Sequence, residues 1–302
     1  MKLIKYLKKY IKNPLGVIYA LGKLGWFKWV PDRIYLKLIY RGETGKTLKL
    51  NNPKTFNEKL QWLKLYDRRT EYSTYVDKYE VRSYIAETIG DQYLIPLLGV
   101  YNDVDEIDWD KLPNQFVLKC THGSNSNIIC PDKSKLDIES SKSQLKKWMK
   151  KNWYWFGREW PYKNVKPRII CEKYMVDESG KELKDYKVFC FSGEPKLIQV
   201  DFDRFTDHKR NIYDTNWNLL PVEIKFPSDK SRVINKPVKL EDMLKFARIL
   251  SKDYPHVRVD FYSIGEEIYF GEMTFFHGSG FERILPEEFN VEMGKWIKLP
   301  NA

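Results

Sequence analysis

The sequence predicts an α+β protein. Its early segments carry apolar residues at helical spacing, its later ones are short apolar runs separated by turn residues, and no internal repeat or low-complexity tract interrupts them. The first fifty residues read as helical, basic and aromatic, and end in the turn Asn51-Asn52-Pro53. Helical periodicity predicts helices over 57–66 and 75–89, the second stopped by Gly90. Residues 93–101 and 116–120 read as strands, 142–153 as a helix, and 168–175 as a buried strand. A hairpin follows over 187–191 and 196–202, turning at Ser192-Gly193-Glu194-Pro195. Residues 240–250 then read as a helix, and 257–262 and 268–273 as two strands joined by the turn 263–267.

A chain of 302 residues, 42% hydrophobic and 31% charged, can bury a large core, which excludes a disordered chain. Cys120, Cys130, Cys171 and Cys190 form no C-x-x-C pair and have no His at zinc spacing, so reduced thiols in a cytoplasmic protein are expected and a zinc knuckle is not. No stretch approaches the roughly 20 apolar residues that span a bilayer. Residues 1–30 lack a convincing signal-peptide cleavage site. They carry Lys2, Lys5, Lys8, Lys9, Lys12 and Lys23 among Leu, Ile, Tyr and Trp, a composition that suits either a helix covering the core or peripheral contact with the inner face of a membrane. The net charge of +11 points to anionic partners. No nucleic-acid-binding module is recognisable, so nucleic acid is not among those expected.

The sharpest chemical feature is Arg258-Val259-Asp260 on one predicted strand and Gly271-Glu272-Met273-Thr274 on the next. Paired antiparallel, they bring two carboxylates together to share a hard divalent cation, with Arg258 beside them for phosphate; the alternative is a surface cross-strand pair. Lys119 runs into the small polar loop 120–127, which includes Ser124 and could face phosphate oxygens with main-chain N–H groups. Glu172 and Lys173 interrupt the apolar strand 168–175, a pattern that suits either a nucleotide hinge or an edge-strand ion pair. Asp185-Tyr186-Lys187 adds an acid for ribose or metal and a cation for phosphate. Gly42-Glu43-Thr44-Gly45-Lys46-Thr47 fails as a P-loop, because Tyr40 stands where the first glycine belongs.

Taken in order, Lys78, Lys119 with its loop, Glu172 to Tyr174, Asp185-Tyr186-Lys187 and the two strand motifs resemble the ATP-grasp superfamily. More narrowly, Phe116-Val117-Leu118-Lys119, Asp185-Tyr186-Lys187 and Gly271-Glu272-Met273-Thr274-Phe275 resemble the TupA-like branch, named for teichuronopeptide biosynthesis, over roughly residues 50 to 300. The resemblance implies an ATP-grasp fold in which two α+β sub-domains clamp a nucleotide. The implied division is a helical basic segment 1–50, an N-terminal α/β sub-domain 51–115, a lid sub-domain 116–176 and a C-terminal sub-domain 177–302 carrying the metal site. It further implies ATP and Mg²⁺ as cofactors. Lys78, Lys119 and Ser124 would then serve the phosphates, Glu172, Lys173 and Tyr174 the adenine, and Asp185 and Lys187 the ribose and phosphate. Asp260 and Glu272 would hold magnesium, with Thr274 where many family members have asparagine. Arg258 would act on the transferring phosphoryl group together with Lys187, and Arg204, Lys209 and Arg210 would hold an acceptor carboxylate. His277 and Ser279 would border the acceptor, and residues 121–138 would form a lid.

The implied activity is a carboxylate–amine ligase working through an acyl phosphate, joining an amino acid or peptide to an acidic sugar in surface polysaccharide assembly. Two other classes stay open on the sequence. Asp201-Phe202-Asp203 matches the D-x-D pattern of metal-dependent glycosyltransferases, and the basic charge alone suits a non-catalytic module that docks on a glycan or membrane.

Overall fold

A computed structural model describes residues 21–22, 25–177, 183–203 and 206–300. Most of the N-terminal segment 1–30 and Arg204 lie outside the described residues. Helix α1 (Asp32–Thr44) buries Tyr35, Leu36, Ile39 and Tyr40. Helix α2 (Phe56–Tyr66) starts in a capping box: Thr55 Oγ1 accepts from Glu58 N at 3.2 Å, and Glu58 Oε2 accepts from Thr55 N at 3.1 Å. The single helix expected over 75–89 is two helices, α3 (Tyr72–Val76) and α4 (Val81–Thr88). The break falls at Asp77, whose Oδ1 accepts from Tyr79 N at 2.8 Å and Glu80 N at 3.3 Å, and it leaves Lys78 outside either helix.

A four-stranded antiparallel sheet follows, built from β1 (Leu97–Tyr101), β2 (Phe116–Cys120), β3 (Asn127–Cys130) and β4 (Ile169–Lys173) in the order β1-β4-β2-β3. Residues 93–96, expected as strand, instead end a short 3₁₀ turn, make an isolated bridge at Leu94 and run irregularly into β1, while β3 lies inside the polar segment 121–138. Helix α5 (Ile138–Met149) begins four residues earlier than its periodicity suggests, because Asp137 Oδ1 accepts from Ser140 N at 2.9 Å and caps it there. This sheet has a core of its own, in which Val104, Trp109 and Leu112 pack with Phe116, Leu118, Leu145 and Cys171. The short helix α6 (Tyr154–Gly157) then returns the chain to the larger core.

The second sheet has five strands: β5 (Asp185–Phe191), β6 (Glu194–Phe202), β7 (Lys209–Tyr213), β9 (His256–Ile264) and β10 (Glu267–Thr274), in the order β10-β9-β5-β6-β7. Strand β8 (Glu223–Ile224) pairs apart from it with β11 (Ile284–Leu285). Alternation splits the large sheet into two faces. Val188, Cys190, Ile198, Val200, Val257, Val259 and Phe261 are fully buried and belong to the large core with helix α7 (Leu240–Ser251), which buries Met243, Leu244, Ala247 and Leu250. The opposite face carries buried Asp185, Lys187, Gln199, Asp201, Arg258 and Asp260 and half-buried Glu272, a concentration of charge that demands partners. Helix α8 (Glu287–Trp296) crosses the start of α2 at Gly294, where a Cβ would lie 2.1 Å from Lys54 O. All four cysteines are free and buried.

Candidate active site

Strands β9 and β10 pair with Phe270 opposite Phe261, and then, across a bulge of one residue, with Glu272 opposite Asp260. Without the extra residue Glu272 would face Val259 and point into the apolar core, because a slip of one turns a strand over. Gly271 fills the bulge; a Cβ there would lie 3.1 Å from Asp260 O and 3.3 Å from the Tyr262 ring. The bulge is therefore what sets the two carboxylates side by side.

Arg258 organises them. Its Nε and Nη2 donate to Asp260 Oδ1 and Oδ2, each at 2.7 Å, and Nη2 also donates to Glu272 Oε1 at 3.0 Å and Thr274 Oγ1 at 3.1 Å. Lys187 Nζ, one strand over, lies 2.5 Å from Asp185 Oδ2 and 3.3 Å from Asp260 Oδ2. Lys78 Nζ stands 3.6 Å from Glu272 Oε2 and donates to Gly123 O at 2.7 Å, tying the polar loop that contains Ser124 to the acidic pair. Burial pushes the Asp260 carboxyl up against the pull of Arg258 and Lys187. At Glu272 burial also pushes upward, but Lys78, Arg258 and Lys187 outweigh it and hold the carboxyl below its ordinary value.

The network continues away from the pair. Arg258 Nη1 donates to His277 Nδ1 at 2.7 Å, and His277 Nε2 is 3.0 Å from Glu282 Oε2. Burial pulls the His277 pKa down to about 4 despite Glu282, so the ring is neutral and its Nδ1 is free to accept from arginine. Glu282 also meets Arg210 Nη1 at 3.1 Å, and Arg210 Nε donates to Asp201 Oδ1 at 2.7 Å. Beneath His277, the residues Gly278, Ser279 and Gly280 all have positive φ between 53° and 64°. Ser279 pays the steric cost of that conformation and is held by fully buried Lys64, whose Nζ donates to Ser279 O at 2.8 Å and Oγ at 2.9 Å. Burial lowers the Lys64 pKa against the attraction of Glu159, and burial raises that of Glu159 against Lys64.

Between the two sheets, Lys78, Arg82, Lys119, Glu172, Phe270 and Gly271 line a narrow cleft, and Leu94 bridges to Phe270 across it. Lys119 Nζ lies 2.6 Å from Glu172 Oε2, and Arg82 Nη1 3.3 Å from Glu172 Oε1. A wider hollow along α5, lined by Asp105, Glu139 and several lysines, is open to solvent and shares none of these residues.

The structure thus gathers Lys78, Asp185, Lys187, Arg258, Asp260, Glu272 and Thr274 into one network, with Lys119 and Glu172 at its edge. The Glu172 carboxylate is held by two cations, and as part of β4, an inner strand, Glu172 uses its main chain in ladders with β1 and β2. Main-chain groups outside the strand begin at half-buried Tyr174, while Lys173 is exposed and its N–H donates to Pro96 O. Arg210 and Lys209 are engaged with Asp201 and Glu282 and with Asp207, respectively. Asp201 is buried and also meets Gln199 and His208, whereas Asp203 is exposed beyond the strand end, so the two acids of the D-x-D pattern occupy different surroundings. Sequence reasoning missed Arg82, Lys64, Glu159 and Glu282. Only Arg82 left a signal, four residues after Lys78.

Two carboxylates and a hydroxyl are the hard oxygen donors that suit Mg²⁺. Among the described residues no group of three or more His, Cys, Asp or Glu side chains converges on one point.

A family model described as TupA-like ATPgrasp matches residues 58–298. Among solved structures, the chain is similar to D-alanine–D-alanine ligase from Helicobacter pylori, at 17% identity and TM-score 0.41 over 81% of this chain and 69% of that one. It is similar to D-alanine–D-alanine ligase from Bacillus anthracis complexed with ATP, at 15% identity and TM-score 0.38 over 67% and 54%. It is also similar to the ATP-grasp ligase PsnB complexed with a phosphomimetic variant of its minimal precursor, Mg and ADP, at 9% identity and TM-score 0.40 over 80% and 66%. The chain spans about half to two thirds of the length of these proteins. A search of curated protein sequences finds no match.

Proposed function

This chain belongs to the TupA-like ATP-grasp family, and on that premise we propose that it is an ATP-dependent carboxylate–amine ligase working through an acyl phosphate. The observation that carries the reading is the bulge at Gly271, which turns Glu272 out of the core and onto Asp260 beneath Arg258, with Lys187 and Lys78 on either side.

In this reading Lys78 and Lys119 hold the nucleotide phosphates at the cleft and Asp185 takes the ribose. Asp260 and Glu272 hold magnesium, with Thr274 beside them. Magnesium bound there would supply charge neutralisation on the phosphates. Arg258 and Lys187 orient the γ-phosphoryl group and neutralise the charge that spreads over its oxygens. A carboxylate oxygen of the acceptor attacks γ-phosphorus as the bond to ADP breaks. The amine then attacks the acyl carbon, inorganic phosphate leaves, and the amine loses a proton. No side-chain nucleophile is needed, which fits a cleft lined by Lys78, Arg82, Lys119, Glu172 and apolar residues. In the same reading the polar loop, tied to Lys78 through Gly123 O, keeps water from the acyl phosphate. The family's association with teichuronopeptide supports an acidic sugar as the carboxylate and an amino acid or peptide as the amine, in surface polysaccharide assembly on the cytoplasmic side.

Calorimetric titration with Mg-ATP beside UDP-sugars, repeated on Glu272→Gln, tests this. Magnesium-dependent ATP binding that the variant loses is the expected result. A UDP-sugar signal without ATP binding would overturn the ligase and favour a glycosyltransferase.

A further inference from the structure

Helix α1 has two faces. Tyr35, Leu36, Ile39 and Tyr40 pack into the core, while Arg33, Ile34, Lys37, Leu38 and Arg41 face solvent. At about 100° per residue the outward positions span an arc of about 140°, with Arg33, Lys37 and Arg41 in one row and Ile34 and Leu38 in the next. The loop before the helix continues the pattern. Phe27 and Val30 turn inward, and their carbonyls accept from Arg158 Nη2 at 2.6 and 3.4 Å, while Trp26 and Trp29 turn outward. Arg158 is itself 1% exposed, stacked on Tyr35 and Trp155 and paired with Asp32, so the loop is anchored.

The resulting surface is unusual in composition. Trp26, Trp29, Ile34 and Leu38 are 67%, 80%, 54% and 38% exposed, four of the ten exposed large hydrophobic residues described in the chain, and they fall within a short stretch of sequence. Asp32, the only acid between Trp26 and Arg41, is taken by Arg68 and Arg158. Exposed tryptophan and aliphatic side chains beside unopposed cations are what an interfacial helix presents to anionic headgroups. A soluble polyanion would match the cations and leave Trp26, Trp29, Ile34 and Leu38 in water. No described helix is long and apolar enough to cross a membrane.

We propose that the loop at Trp26–Trp29 and the outer face of α1 form a docking surface for an anionic lipid bilayer. The tryptophans and Ile34 and Leu38 enter the headgroup boundary, and Lys28, Arg33, Lys37 and Arg41 meet lipid phosphates. This surface lies outside the residues assigned to the ligase, so its failure and the ligase's failure are read separately.

The test is co-sedimentation of the full chain with vesicles of phosphatidylcholine alone or mixed with phosphatidylglycerol, with tryptophan emission recorded alongside. Expected are binding to the anionic vesicles only, a blue shift, and weakening with salt. Lys37→Gln/Arg41→Gln should reduce partition on the order of thirtyfold, given the gain per cation at an anionic surface, and Trp26→Ser/Trp29→Ser should reduce both partition and blue shift. The unchanged thermal transition of both variants is the folding control. Absence of vesicle binding, or binding that both variants retain, overturns the proposal. So does concentration-dependent dimerisation that the variants abolish without any vesicle binding, which would make this face a contact between copies.

Discussion

Replacing Arg258 with Met tests whether the acidic pair is held by charge. The substitution removes four hydrogen bonds to Asp260, Glu272 and Thr274 and the contact with His277. Asp260, 3% exposed, keeps only Lys187 at 3.3 Å among its cations, and Glu272 keeps only Lys78 at 3.6 Å. Breaking a buried ion pair by removing one partner costs about 3–5 kcal/mol. At a few degrees per kcal/mol for a chain of this size, Tm should fall by about 10 °C. Thermal denaturation followed by circular dichroism measures it, with and without added Mg²⁺. Magnesium should restore more stability to the variant than it adds to the native protein, because a divalent cation can stand between the carboxylates that the guanidinium no longer joins. An Arg258→Met variant with native Tm would show that the pair does not depend on this arginine, and one destabilised but indifferent to magnesium would remove the pair as a metal site.

Lys64→Met should cost about 3–5 kcal/mol in chemical denaturation because Glu159 is left buried without its cation, whereas Lys64→Met/Glu159→Gln should cost less than the single change. Gly294→Ala should lower stability by about 1–3 kcal/mol or more, since its Cβ would meet main-chain atoms of residues 54–56, which cannot rotate away; a native Tm would mean α8 can shift. Burial lowers the His256 pKa to about 3, so the unfolded chain takes up a proton first as the pH drops below about 6.5. This histidine's share of stability is complete above that pH and is lost as pH falls toward 3. Asn can keep a hydrogen bond to Cys190 O, so His256→Asn should flatten urea-derived stability against pH in that window by up to about 1.4 kcal/mol per unit.

The strands at the centre of the large sheet were legible because their apolar residues and turns announce themselves: β5, β6, β9 and β10 fall close to where alternation and the Gly193 and Gly265 turns put them. The pairing of Asp260 with Glu272 was expected, but its cause was not, because a bulge is a main-chain event and Gly271 alone does not declare one. Strand β7, Lys-Arg-Asn-Ile-Tyr, reads as polar, and its burial depends on Asp201 of the neighbouring strand and on Glu282, distant in sequence, accepting from Arg210. Helix α8 carries Glu287, Glu288 and Asn290 early and makes its closest approach through a glycine, so its periodicity is faint. Lys78 reaches the site because Asp77 ends one helix and starts the next, a local hydrogen bond that outranks the apolar spacing read across it.

Around the cleft, Lys78, Arg82, Lys119, Lys187 and Arg258 stand against Glu172, Asp185, Asp260 and Glu272, five positive groups and four negative ones already in contact with each other. On a chain carrying +11 overall, this interior is close to electroneutral, and the surplus lies elsewhere. A bare nucleotide triphosphate would bring its charge up against those carboxylates and gain little from cations that are already occupied. In the proposed reading, a nucleotide arriving with a divalent ion would give the carboxylates a new counterion and release the lysines and arginine to the phosphates. Discrimination between nucleotide and other polyanions would then be set at admission, by an exchange of counterions, before any bond is made.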